Sequence, residues 1–122
     1  MGSSGPMTEA MYYVLMTLTV PSHGYQLMSA VTEASRGRVR MGPGTLYGVL
    51  TRLESEKFIE IISDDGRRKV YAITVGGRAA LAAETERLRE MLADQARWRG
   101  TAERLGESDD SRALVEKPEM LN

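Results

Sequence analysis

The sequence predicts a mostly α-helical fold with one small β-hairpin, closed by a long C-terminal helix. Three observations carry this reading. Apolar residues recur at helical spacing in four separate segments. Only Phe58–Ile62 and Val70–Ile73, on either side of a turn signal, have the β-branched, apolar character of strands. From Arg78 onward the composition is strongly helical for several turns.

Thr8 is placed to cap a first helix running to about Val20, with Met11, Val14, Leu15 and Leu18 on one face. Pro21-Ser22-His23-Gly24 breaks it, and Ser22 is a candidate cap for the second helix. That helix carries Leu27, Met28, Val31 and Ala34 on its apolar side and ends near Ser35-Arg36-Gly37. Arg38–Met41 alternates as a short extended piece.

The third helix, Pro43 to about Lys57, organises the rest. Pro43 suits a first helical position, where its missing N–H would be unpaired anyway. Leu46, Val49, Leu50 and Leu53 form a single apolar stripe. The other face holds Thr45, Tyr47, Gly48, Thr51, Arg52 and Ser55, with no carboxylate before Glu54. A helix that buries one side and offers such a surface on its first turns meets the requirements of a DNA recognition helix. An ordinary amphipathic surface helix would share the stripe, so the neighbours decide.

Those neighbours are a hairpin and a long helix. Ser63-Asp64-Asp65-Gly66 is a turn signal, and Arg67-Arg68-Lys69 leads into the returning strand. Three consecutive cations at a hairpin tip are either a solvated end or a phosphate clamp beside a DNA groove. Thr74 can cap the final helix. Gly76 and Gly77 in its first turn cost roughly 1 kcal/mol each against Ala, so something outside the helix must hold its start. A helix from Val75 to Arg99 is about 37 Å long at 1.5 Å per residue. It is too long to bury its stripe on three short helices, and a second copy of the chain is the simplest partner. The expected organisation is a tail over 1–7, a winged helix-turn-helix domain over 8–74, a dimerisation helix over 75–105 and a disordered tail over 106–122.

Composition sets bounds on function. The chain has 122 residues, 42% hydrophobic and 6% aromatic, enough for one small domain plus an extra element. There is no cysteine, which excludes disulfides and thiolate metal sites and fits a reducing cytoplasm. No apolar run approaches a membrane span, so no membrane is an expected partner. With one histidine and no nucleophile–base grouping, neither an enzyme nor a metal or other cofactor is expected. The net charge of −1 is unevenly spread. Residues 21–80 hold nine Lys/Arg against six acids, whereas 81–122 hold seven against ten. A basic half is thus separated from an acidic one.

The residues go further than the pattern. His23-Gly24-Tyr25, Pro43-Gly44-Thr45-Leu46-Tyr47, Arg52-Leu53-Glu54 and the blocks from Gly66-Arg67-Arg68-Lys69 to Gly77 resemble the PadR family of bacterial transcriptional regulators. The resemblance covers about Met11 to Leu92 and points to the short subfamily with one arm helix. It implies a homodimer that binds double-stranded DNA at a pseudo-palindromic operator and usually represses. It implies release by a small hydrophobic or aromatic effector. Carried onto this chain, it places Gly44, Thr45 and Tyr47 in the major groove, with His23 and Tyr25 toward phosphate. By the same resemblance the hairpin near Arg67, Arg68 and Lys69 lies along the adjacent backbone or minor groove; Arg52, two turns further along its helix, is placed by that position to reach backbone rather than base.

Several roles have a structural alternative. Tyr47 can pack on the second helix, His23 can bond within its turn, and Tyr71 can be hairpin packing. One departure matters. Multidrug-binding members of the subfamily carry a Trp eleven residues after the Gly that opens the final helix; here that position is Leu88, and Trp98 lies nearly three turns later. The aromatic sandwich is therefore not carried over. Leu81, Leu88, Met91, Leu92 and Trp98, facing Val14 and Leu18 of a second copy, line either an apolar pocket or a dry dimer seam. The competing function class is a winged-helix protein–protein assembly module, since fold alone does not settle function.

Overall fold

The computed structural model describes residues 6–106. In chain order these form α1 (Glu9–Thr17), β1 (Ser22–His23), α2 (Gly24–Ala34), α3 (Pro43–Ser55), β2 (Ile59–Asp64), β3 (Lys69–Ile73) and α4 (Val75–Gly106). The architecture is a mostly helical winged helix-turn-helix with a small antiparallel sheet and a long final helix. The expected tails lie largely outside the described residues, at 1–5 and 107–122. Met7 departs from the expected tail, because it packs against the core.

Each helix begins where the local chemistry allows. The Thr8 hydroxyl accepts the Met11 N–H at 3.1 Å and caps α1. α1 stops at Thr17, short of Val20, and the Leu18 carbonyl instead accepts the Ile73 N–H of β3. α2 is capped by His23 and not by Ser22: His23 Nδ1 accepts the Gln26 N–H at 3.3 Å. Ser22 is buried in β1, where its hydroxyl donates to Gln26 Oε1. α3 starts at Pro43 after Gly42, which supplies no side-chain cap. It ends at Ser55, and Lys57 follows with a φ of 65°, which turns the chain into β2.

The sheet has three strands, one more than the hairpin read from sequence, in the order β1-β3-β2. β1 is only two residues, pairing Ser22 with Tyr71 and His23 with Val70, too short to leave an alternation signal. β2 extends to Asp64, which pairs with Lys69, so the connecting loop is Asp65–Arg68 rather than Ser63–Gly66. Ile62 sits in a bulge between Ile61 and Ser63 and is 52% exposed.

The core lies where α1, α2, α3 and the sheet meet. Val14 and Leu15 of α1, Leu18 just after it, Leu27 and Val31 of α2, and Leu46 and Leu53 of α3 are fully buried. Met11, Leu50, Ile59, Tyr71 and Ile73 complete it. Each such aliphatic side chain contributes roughly 1.5–3 kcal/mol through burial. Ala34, expected on this face of α2, is exposed. The α2 end is held instead by Ser35, whose buried hydroxyl accepts the Val39 N–H at 2.9 Å.

The start of α4 is fastened from outside. Thr74 Oγ1 accepts the Gly77 N–H at 3.0 Å and donates to the Lys57 carbonyl at 2.7 Å. The Thr74 N–H binds the Phe58 carbonyl at 2.9 Å. A Cβ on Gly77 would run into that same carbonyl, so glycine is what lets α4 approach β2 this closely.

The chain divides into two compact units, 1–85 and 86–122. In the first, α4 contributes Leu81 to the core surface and Thr85, whose hydroxyl bonds Tyr12 Oη at 2.7 Å. The second unit is described as far as Gly106, so α4 passes Arg99 and Gly100. One glycine among strong helix formers costs roughly 1 kcal/mol and does not end a helix. Its surface has Arg97 paired to Asp94 at 2.8 Å. Among the described residues no helix is long and apolar enough to cross a membrane.

Candidate nucleic-acid interface

α2, α3 and the hairpin enclose a cleft of about 430 Å³. One wall is the start of α2, with His23, Gly24 and Tyr25. The α3 wall presents Tyr47, Thr51 and Glu54, an i, i+4, i+7 series on one helix face. The hairpin supplies Asp64, Gly66, Arg67, Arg68, Lys69 and Tyr71. β1 is what joins these walls, because pairing His23 with Val70 sets the α2 N-terminus beside Lys69 and Tyr71.

Six of the DNA-binding candidates therefore come together: His23, Tyr25, Tyr47, Arg67, Arg68 and Lys69. Tyr25 is 78% exposed, and Tyr47 is 48% exposed with its ring over Gly24. His23 both caps its helix and faces the cleft. With Nδ1 accepting, the neutral ring carries its proton on Nε2, a donor. Gly44 and Thr45 lie exposed on the first turn of α3, outside the cleft.

The hairpin tip is pre-shaped. Asp65 Oδ1 accepts the N–H groups of Arg67 at 3.0 Å and Arg68 at 2.8 Å, and Asp64 Oδ1 accepts that of Gly66 at 2.9 Å. The same backbone donors of Arg67 and Arg68 hold the Asp65 carboxyl below its ordinary pKa. Gly66, at φ 89°, makes the turn possible. Among the described residues no ion pair engages Arg67, Arg68 or Lys69, and all three are exposed. At the buried end of the cleft Tyr71 is 5% exposed. Burial pushes its phenol above the usual value, with smaller contributions from Glu54, Tyr47 and Asp64.

Three candidate residues make contacts within the chain. Arg52 lies outside the cleft lining. Its Nε lies 3.4 Å from Glu56 Oε2, and its guanidinium donates to the Pro6 carbonyl at 3.3 Å. It sits five residues after Tyr47, on a different side of α3, and ties the segment before α1 to that helix. Val14 and Leu18 were expected to face a second copy, but both are 0% exposed in the chain's own core. Their spacing identified a buried stripe without saying what covers it. Leu81 is half-buried on that core, whereas Met91, Leu92 and Trp98 are exposed and Leu88 is half-exposed. Sequence reasoning put Thr51 at the end of the reading face, took Tyr71 as hairpin packing, and left Glu54 and Asp64 out of the site. Glu54 was findable, at seven residues beyond Tyr47.

Comparison with known proteins agrees with this fold. Residues 14–83 match the family model of the transcriptional regulator PadR-like family, over half of the chain. The transcriptional regulator Rv3488 of Mycobacterium tuberculosis is 40% identical over 62 residues, covering 48% of this chain and 58% of that protein. The transcriptional regulator YqjI of Escherichia coli is 31% identical over 78 residues, covering 64% of this chain and 37% of that protein. The chain thus spans well under two thirds of the length of these curated relatives. The crystal structure of a PadR family transcriptional regulator from Eggerthella lenta superposes with a TM-score of 0.59 at 29% identity, covering 71% of this chain and 77% of that one. PadR family members are transcriptional regulators and not enzymes. The fold, the matched residues and the relatives agree: this chain belongs to the PadR-like family of transcriptional regulators.

Proposed function

We propose that the chain is a dimeric DNA-binding repressor, with residues 8–74 as its DNA-binding domain and 75–105 as its dimerisation helix. The observation that carries this is the cleft itself. It joins exposed cations of the hairpin to Tyr25, Tyr47 and His23, beside a helix whose other face is buried. In this reading α3 enters the major groove with Gly44, Thr45 and Tyr47 foremost. Arg67, Arg68 and Lys69 meet phosphates of the adjacent backbone, and His23 donates from Nε2. The exposed Met91, Leu92 and Trp98 of α4 meet their counterparts in a second copy, which spaces two reading helices for a pseudo-palindromic site. A small hydrophobic or aromatic effector acts by changing that spacing.

The cleft lining contains no aliphatic side chain, which disfavours an assembly module at this face. Titrating salt against a labelled duplex from upstream of the gene tests the reading. Affinity should fall steeply and linearly on a log–log plot. Absence of binding at about 50 mM salt, where phosphate contacts are strongest, would count decisively against it.

A further inference from the structure

The cleft contains more chemistry than a duplex backbone can use. DNA phosphates and sugars offer mainly acceptors along this path, which suits Arg67, Arg68 and Lys69. Glu54 and Asp64 line the same cleft and repel phosphate. Both side chains are exposed at the cleft and act electrostatically on the phenol of Tyr71. Asp64 spends Oδ1 on the Gly66 N–H and keeps its second oxygen. Two tyrosine rings are open to a ligand, Tyr25 at 78% and Tyr47 at 48% exposed. Among the described residues the aromatic pair in contact is Tyr12 with Tyr13, at 6.0 Å, and not any two of Tyr25, Tyr47 and Tyr71. The volume of about 430 Å³ falls within the range of small-molecule sites.

A ligand that satisfies all of these groups has a planar ring for the tyrosines, N–H or O–H donors for the carboxylates, and an anionic end for the cations. We propose that the cleft also binds a free nucleoside monophosphate. Its base packs against the exposed rings of Tyr25 and Tyr47, its amino or ribose hydroxyl groups donate to Glu54 and Asp64, and its phosphate meets Arg67–Lys69. Because the phosphate occupies the proposed DNA contacts, the nucleotide competes with the operator. That competition rests on the DNA-binding reading; the nucleotide site itself does not.

The test titrates AMP, adenosine and inorganic phosphate separately into the full chain, followed by backbone amide NMR. AMP should bind at least about tenfold more tightly than either fragment, since ring and phosphate contacts reinforce each other. It should shift the amides of Tyr47, Thr51, Tyr71 and Arg67–Lys69. Glu54→Gln, at an exposed position, should weaken AMP severalfold and leave inorganic phosphate no weaker. AMP binding no tighter than phosphate, or shifts confined to other residues, overturns the proposal. Displacement of a labelled duplex by AMP supports it. If the duplex binds while AMP neither displaces it nor shifts the cleft, the nucleotide site fails and DNA binding stands. If AMP shifts the cleft and no duplex binds, the nucleotide site stands and the DNA reading fails.

Discussion

A Cβ placed on Gly24 would stand 2.5 Å from the Tyr47 hydroxyl and 3.0 Å from Cζ, so the Tyr47 ring rests on the α2 backbone where a side chain is missing. This packing and exposure to the cleft are compatible: the ring is 48% exposed. One face is fixed by α2, and the rest is presented outward at a set height.

Gly24→Ala should therefore displace the ring without unfolding the chain. The atom in the way is the free end of a side chain, so stability should change by less than about 1 kcal/mol. Operator affinity should fall severalfold. Tyr47→Ala should cost about 1–3 kcal/mol of specific binding and little of non-specific binding. The double variant should be no weaker than Tyr47→Ala alone, because the two act through one ring. Additive losses in a duplex titration would show that Gly24 acts by another route.

Arg67→Ala with Arg68→Ala should lower the log–log salt slope by roughly two if both meet phosphate. Arg52→Ala is the contrast. Its guanidinium is engaged by Glu56 and Pro6, so it should leave the slope unchanged and lower stability slightly, by less than about 1 kcal/mol for a partly exposed pair. An unchanged slope in the double variant removes the phosphate-clamp role of the hairpin.

The two glycines at the start of α4 should respond in opposite directions. Gly77→Ala drives a methyl into the Phe58 carbonyl and to 2.7 Å from Ile73 Cγ1. Overpacking of this kind costs about 1–3 kcal/mol, and backbone cannot easily yield. At Gly76 the nearest atom to an added Cβ is 3.6 Å away, an ordinary contact. Gly76→Ala should therefore stabilise the chain by up to about 1 kcal/mol through helix propensity. Chemical denaturation of the two variants side by side checks the sign of each.

The shape of the hairpin tip should depend on pH. Asp65 is held below its ordinary pKa by the Arg67 and Arg68 N–H groups. A depressed carboxyl contributes stability above its unfolded value, about 3.9, and loses it as pH falls through the folded value. At neutral pH the tip is fully ordered by this contact. As pH drops below about 4 the amide resonances of Arg67 and Arg68 should move together. Asp65→Asn should abolish that movement; its persistence would assign the transition to another group.

Leu92→Asp places a charge on the exposed face of α4, where Met91 and Trp98 are also exposed. If this face joins two copies, sedimentation should show a monomer, since an unpaired buried charge is strongly destabilising. A surviving dimer would locate the interface elsewhere. Trp98 fluorescence should shift to the red in a variant that has become monomeric, because its ring then meets water.

Much of this was legible in the sequence. The stripe Leu46, Val49, Leu50 and Leu53 fixed the buried side of α3 and hence the exposed side bearing Tyr47. Pro43 and Thr8 marked two helix starts, and Arg67–Lys69 marked the tip. These are statements within one element, where periodicity and capping chemistry act over a few residues. What the tertiary structure decided is which elements meet. Ser22 pairs with Tyr71, and His23 with Val70, across nearly fifty residues of chain. That pairing assembles the cleft and brings Glu54, Asp64 and Tyr71 into it. Packing between other distant segments leaves Val14 and Leu18 inside and brings Arg52 to Pro6. A repeating apolar pattern says that a face is covered; only packing across distant segments determines what covers it.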